Sequence, residues 1–196
     1  MKALALAFAL ALACASPIAA TEATADDSSE AIIAAAQAAE AANVEMRAEF
    51  GRASLSAGQF LWKEGREDEA ITRVVVDLTG QMAYAYGGEE LIAVSTISGG
   101  VDKHPSPIGI FPIVEKRRQY WSRKYDNAPM PFMQRIDEYG VALHAGHVTG
   151  RPASHGCVRL PRAFAARLFT ATEIGTPVLM GKPAILVELR GQGYDV

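Results

Sequence analysis

The chain has 196 residues and a net charge of −3, and it is 49% hydrophobic and 21% charged. That composition supplies a sizeable core and excludes global disorder, and the length suits one domain with extensions. The acidic balance speaks against a nucleic-acid binder, and two cysteines, Cys14 and Cys157, exclude a disulfide-rich mini-domain and any Cys-x-x-Cys motif.

The first residues read as a targeting segment. Met1-Lys2 carries one positive charge, Ala3 to Ala13 is an unbroken apolar run, and Ala23-Thr24-Ala25 is a small-residue processing site before Asp26-Asp27. This order is that of a signal peptide over residues 1–25, so export to the periplasm and cell envelope is expected. Cleavage after Ala20 is an alternative, and Ala11-Leu12-Ala13-Cys14 loosely resembles a lipoprotein processing site. The run is diluted by Ala and interrupted by Ser16-Pro17, so no stable membrane span is expected. Cleavage leaves Cys157 as a lone thiol in an oxidising compartment, which is either reactive or buried and inert.

Residues 26–65 read as a helical arm and linker. Asp27 and Ser28 are N-cap residues, and an Ala-rich stretch runs to about Glu49 with few large apolar side chains. Such a helix has a thin sticky face, so it is expected to dock loosely and to be dispensable for chemistry. Gly51 to Gly65 is turn-rich, with Phe60-Leu61-Trp62 as its docking point.

Residues 66–196 carry the folded domain. Thr72–Asp77, Gln81–Tyr86, Leu91–Ser98, Gly109–Val114 and Tyr139–His144 read as strands separated by Gly-marked turns. Ala163–Thr170 reads as a short helix, and Pro177–Met180 and Ala184–Leu189 as two closing strands. The pattern predicts a mostly β, sandwich-like or barrel-like domain with one short helix.

The chemistry concentrates between His144 and Arg159, where three of the four histidines accompany Cys157. A Cys–His site needs a thiol and an imidazole within hydrogen-bond reach, where a protonated His depresses the thiol pKa. Gly156 removes a side chain beside the thiol, so backbone N–H groups can approach a developing oxyanion. Arg159 offers a planar fork for a carboxylate. His144-x-x-His147 and His155-x-Cys157 also supply four donors that zinc accepts. Their spacing is not that of a standard finger, and a zinc-bound Cys would be lost as a nucleophile, so no metal is expected. Lys116-Arg117-Arg118 and Arg123-Lys124, interleaved with Tyr120, Trp121 and Tyr125, are either a solvated loop or a surface that stacks on sugar faces.

Ser154-His155-Gly156-Cys157-Val158-Arg159, preceded by a His at a strand end, resembles the active-site signature of the L,D-transpeptidases (the YkuD-type catalytic domain). His104-Pro105-Ser106-Pro107-Ile108-Gly109-Ile110-Phe111 is similar to that family's strand entry. Tyr125-Asp126-Asn127-Ala128-Pro129-Met130-Pro131-Phe132 resembles a cleft segment of many members. The resemblance covers roughly 71–190. It implies Cys157 as nucleophile and His144 as general base and acid, with Ser154, His155, Gly156 and Arg159 around the thiol. It implies acyl transfer between peptidoglycan stem peptides, with no cofactor and no nucleic-acid partner. The stretch from His144 to Ser154 is shorter than in many members, which keeps His147 and His155 as rival bases, and some members carry Asn at the place of Arg159. An L,D-carboxypeptidase or other hydrolase on the same site, and a non-enzymatic exported wall-binding or zinc-binding domain, remain as alternatives. The oligomeric state and the acceptor are left open.

Overall fold

The computed structural model describes residues 24–196. Most of the signal segment, with Cys14 and Ala20, therefore lies outside the described residues. In chain order the helix α1 (Ser29–Phe50) is followed by β1 (Phe60–Trp62), β2 (Arg73–Asp77), β3 (Met82–Gly87), β4 (Glu90–Thr96) and β5 (Gly109–Pro112). Then come β6 (Glu115–Arg117), β7 (Met133–Arg135), β8 (Ala142–Ala145), β9 (Val158–Leu160), α2 (Arg162–Ala171), β10 (Pro177–Gly181) and α3 (Ala184–Gly191). Among the described residues no helix is long and apolar enough to cross a membrane.

The strands form two sheets, one ordered β1-β4-β3-β2-β10-β5 and the other β6-β7-β8-β9. Alternation along β2 sets the layers: Val74 and Val76 face one core, while Val75 faces another. The first core lies between the two sheets. It joins Val74, Val76 and Met180 to Leu143, Val158 and Leu160 of the smaller sheet, with Phe164 and Leu168 of α2. A backbone exchange between Ser98 and Arg159, 3.0 Å in each direction, ties the edge of the smaller sheet to the chain leaving β4.

The second core lies between the larger sheet and α1. Ser28 caps this helix by accepting the Ala31 N–H on its Oγ, and Gly51 ends it in the left-handed conformation at φ 60°. Ala31, Ala35, Ala39, Ala42 and Met46 are buried at helical spacing. The loose docking expected of this arm is corrected here. A face of alanines lacks bulk, but it lets the helix backbone lie against the sheet. A Cβ on Gly181 of β10 would overlap the Ala35 carbonyl, so small residues on both sides permit the contact. Val75, Tyr84, Tyr86, Leu91 and Val94 are buried beneath. Tyr84 accepts from Asn43 at 3.3 Å, and the Tyr86 hydroxyl donates to Glu45 at 2.8 Å.

Two further expectations change. Phe60-Leu61-Trp62 is a strand paired antiparallel with β4, and Phe60 and Trp62 lie 5.7 and 5.8 Å from the Phe164 ring. Ala184–Leu189, expected as a closing strand, is helical. Its short apolar run has no decisive period. Pro183 opens it, Ala, Leu, Glu and Arg favour helix, and Leu186 is buried while Arg190 pairs with Glu40 of α1. The helix expected after the Cys motif is α2.

Exposing five large side chains of the second core at roughly 1.5–3 kcal/mol each rivals the whole stability, about 5–15 kcal/mol, of a small domain. A chain beginning at Gly65, which lacks α1 and β1, is therefore expected to lose its cooperative urea transition. A truncated chain that unfolds at the full-length midpoint would show that the helix is an accessory after all.

Candidate active site

β8 and β9 pair in parallel, with Leu143 opposite Val158, His144 opposite Arg159 and Ala145 opposite Leu160. Leu143, Ala145, Val158 and Leu160 point into the first core. His144 and Arg159 consequently share the opposite face. Cys157, two residues before Arg159, lies on that same side. It packs against a small apolar cluster of Met130, Met133 and Ala142, with Tyr120 at its margin. His144 and Cys157 are thus diagonal neighbours across adjacent strands. No hydrogen bond joins them among the described residues.

The thiol is half-buried. Its Sγ has the Gly140 carbonyl at the long distance of 3.8 Å and the Ala142 N–H directed at it. The His144 ring is buried, and its Nδ1 lies 2.9 Å from the Ala145 carbonyl oxygen. A carbonyl only accepts, so Nδ1 carries the proton and the Nε2 lone pair remains available.

The turn before the thiol is held by its own polar groups. The Ser154 hydroxyl donates to the Cys157 carbonyl at 2.5 Å and accepts the Gly156 N–H at 3.1 Å. Gly156 has φ 112°, a region that disfavours any side chain. The Ser106 hydroxyl accepts the Gly100 N–H at 2.9 Å and donates to the Gly156 carbonyl at 2.7 Å. Ala153 and Ser154 both donate to the Gly99 carbonyl at 2.9 Å. Of the backbone N–H groups beside the thiol, that of Gly156 is thus engaged by Ser154.

The other histidines separate. His155 is exposed and stacks on Tyr125 with centroids 4.7 Å apart, while His104 tilts against it at 5.0 Å. His147 is exposed in the loop. Among the described residues no cluster of three or more His, Cys, Asp or Glu has a geometry fit to hold a metal. Arg159 lays its aliphatic stem over Gly146, and it has no carboxylate within ion-pair distance among the described residues.

Burial pushes the Cys157 thiol above its ordinary value; the Ala142 N–H opposes this, Asp137 adds to it, and Arg159 and Lys124 oppose it. Burial also holds His144 below its ordinary value, against the hydrogen bond to Ala145 and with the help of the Arg159 charge. Both shifts favour a neutral thiol and a neutral imidazole at neutral pH. They run against the expected thiol depressed by protonated His144, because burial penalises both charges at once.

Sequence reasoning missed Ser106 and Asp137. Ser106 acts on a turn 50 residues away, and only its place between two prolines after Gly99-Gly100 hints at a fixed loop. Asp137 accepts the Val141 N–H at 2.7 Å, shaping the entry to β8. That strand begins at Ala142 and not at Tyr139, because Gly140 turns at φ 93°.

Residues 71–180 match the family model of the L,D-transpeptidase catalytic domain. Among solved structures, an L,D-transpeptidase from Stackebrandtia nassauensis is 23% identical with a TM-score of 0.51, over 62% of this chain and 60% of that one. A mutant of the Enterococcus faecium L,D-transpeptidase is 26% identical with a TM-score of 0.50, over 57% and 50% of the two chains. An L,D-transpeptidase from Mycobacterium smegmatis is 21% identical with a TM-score of 0.50, over 54% and 56%. The aligned part is thus 50–60% of the length of these structures. No curated protein matches the chain.

The neutral resting pair has a kinetic signature. Iodoacetamide labelling of Cys157 is expected to keep rising through neutral pH and beyond the free-thiol value of about 8.5, with no plateau between roughly pH 5 and 8. A plateau in that window that disappears in His144→Ala would reveal a thiolate–imidazolium pair and refute the neutral assignment.

Proposed function

This chain belongs to the L,D-transpeptidase catalytic domain family, and we propose that it is an exported cysteine acyltransferase that joins peptidoglycan stem peptides in cell wall biogenesis. Residues 1–25 are a signal peptide removed on export to the periplasm, and residues 26–196 are the catalytic domain, with α1 and β1 as integral parts of its fold. The observation that carries the reading is the β8–β9 pairing, which sets His144 opposite Arg159 and diagonal to Cys157, with the imidazole Nδ1 engaged by the Ala145 carbonyl.

The reaction has two halves. Cys157 Sγ attacks the carbonyl of the diamino acid in a tetrapeptide stem while His144 Nε2 takes the thiol proton. A thiol of raised pKa and a neutral base suit this timing, because the proton leaves as the C–S bond forms. The oxyanion is held by the Cys157 N–H, with the Gly156 N–H exchanging Ser154 for the new charge. His144 then returns the proton to the amine of the terminal D-Ala, which leaves a thioester. In the second half an acceptor amine attacks that thioester, the C–N bond forms and the C–S bond breaks. The amine proton passes through His144 back to the sulfur. Ser154, Gly156 and Ser106 fix the turn that aims the thiol, Arg159 faces a substrate carboxylate, and His155 with Tyr125 borders the approach. No cofactor enters.

The test is product analysis after incubation of the full chain with a disaccharide-tetrapeptide. Release of terminal D-Ala together with a cross-linked dimer is expected. Cys157→Ala should give neither product, and His144→Ala should slow release by about 10²–10⁴-fold. Trimmed stems without any dimer would turn the reading to an L,D-carboxypeptidase. No release by the unsubstituted protein would contradict it.

A further inference from the structure

The turn that joins β7 to β8 is built around one carboxylate. Asp137 Oδ1 accepts the Val141 N–H at 2.7 Å, and the Ile136 N–H donates to the Val141 carbonyl at 2.9 Å. The Asp137 carbonyl is held from the other side by Arg135 Nη1 at 2.6 Å, and Arg135 Nε pairs with Glu115 at 2.8 Å. Both ends of the turn are therefore pinned. Gly140 within it takes φ 93°, a conformation that a side chain would resist. The Asp137 carboxylate has no cationic partner within ion-pair distance among the described residues.

This turn reaches the thiol. A peptide unit is planar and trans, so its N–H and its C=O point in opposite directions. By taking the Val141 N–H, Asp137 sends the Gly140 carbonyl of the same unit the other way. That carbonyl is the one that faces Cys157 Sγ at 3.8 Å. A carbonyl only accepts, so the contact uses the S–H and is lost by the thiolate. The thiol proton thus has a resting acceptor other than His144. The distance is long even for sulfur, so the hold is weak and reversible.

Charge acts in the same sense as this geometry. After burial, which raises the thiol pKa, and the Ala142 N–H, which lowers it, three charged side chains act on the sulfur. They are Asp137 from this turn, Arg159 of β9 and Lys124 from the loop before β7. Only Asp137 among them opposes the thiolate. The other titratable neighbours are His144, itself held below its ordinary value by burial, and Tyr120 at the margin of the apolar cluster.

We propose that Asp137 is a positioning residue that holds Cys157 as a protonated thiol, by aiming the Gly140 carbonyl at its sulfur, until substrate draws the proton to His144. The last step rests on the acyl-transfer reading above. Asp137→Asn keeps an oxygen for the Val141 N–H and removes only the charge, whereas Asp137→Ala removes both. The test is the pH profile of iodoacetamide labelling in the full chain, read at Cys157 by peptide mapping. Asp137→Asn should move the profile to lower pH and label about two- to fivefold faster at neutral pH, the weight of one partly solvated charge. Asp137→Ala should move it further, because the carbonyl is released as well. The Asn arm stands even where the Ala variant does not fold. A role confined to the shape of the turn would leave the Asn profile on that of the unsubstituted protein, and that result would overturn the proposal. A folded Asp137→Ala that shifts no further than Asp137→Asn would overturn the aiming of the carbonyl. Labelling needs no substrate, so the two readings fail separately. Release of terminal D-Ala with no shift in Asp137→Asn contradicts the role of Asp137 alone. A shift in a protein that releases nothing contradicts the chemistry and leaves the hold on the thiol standing.

Discussion

The parallel pairing of β8 with β9 is the constraint on which the rest depends. One face of this short ladder is core, through Leu143, Ala145, Val158 and Leu160, and the other face carries His144, Cys157 and Arg159. Side chains alternate with a period of two, so a slip of one residue would send the imidazole into the core and a leucine into the cleft. The register is therefore set by apolar burial, and the polar face inherits it. Ser98 fixes the outer edge of β9 by its backbone exchange with Arg159, and Ser154 and Ser106 fix the turn that enters it. The larger sheet and α1 stabilise the platform on which that small ladder rests.

The same burial that sets the register governs the charges. It pushes the thiol up and the imidazole down, which favours the neutral form of both. A neutral pair costs less to bury than an ion pair that lacks full hydrogen bonding. It also fits the proposed chemistry, in which one proton must pass from sulfur to a leaving amine. Arg159 acts on both groups in a consistent direction: its positive charge favours thiolate over thiol and imidazole over imidazolium. It thereby favours the thiolate that attack requires and, by opposing the imidazolium, speeds the return of the proton to the leaving amine.

Local signals were legible in the sequence and distant ones were not. Alternating β-branched and aromatic residues disclosed β2 and β3, and the Ser28 cap with an Ala-rich run disclosed α1. The contact of α1 escaped because its strength lies in close approach, permitted by Gly181 on a strand some 140 residues away in sequence. β6 and β7 are three residues each and rich in polar side chains, too short to show a period. α3 is a short apolar run whose state is decided by tertiary contact with α1. In the candidate site, the six residues from His144 to Arg159 stood out because they are clustered in the chain. The structure sets His144, Cys157 and Arg159 on one face, gives Ser154 and Gly156 to the turn, and turns His155 toward Tyr125 and His104. Ser106 and Asp137 reach the region from other segments, and no spacing in the sequence announces them.

The central claim is that Cys157 carries the acyl group. Intact-mass spectrometry of the full chain, quenched during incubation with a disaccharide-tetrapeptide, measures it directly. The account predicts a mass increase equal to the stem less its terminal residue, mapped by peptide analysis to Cys157 and absent from Cys157→Ala. An adduct of that mass on Cys157→Ala, or release of the terminal residue at an undiminished rate by that variant, would contradict it.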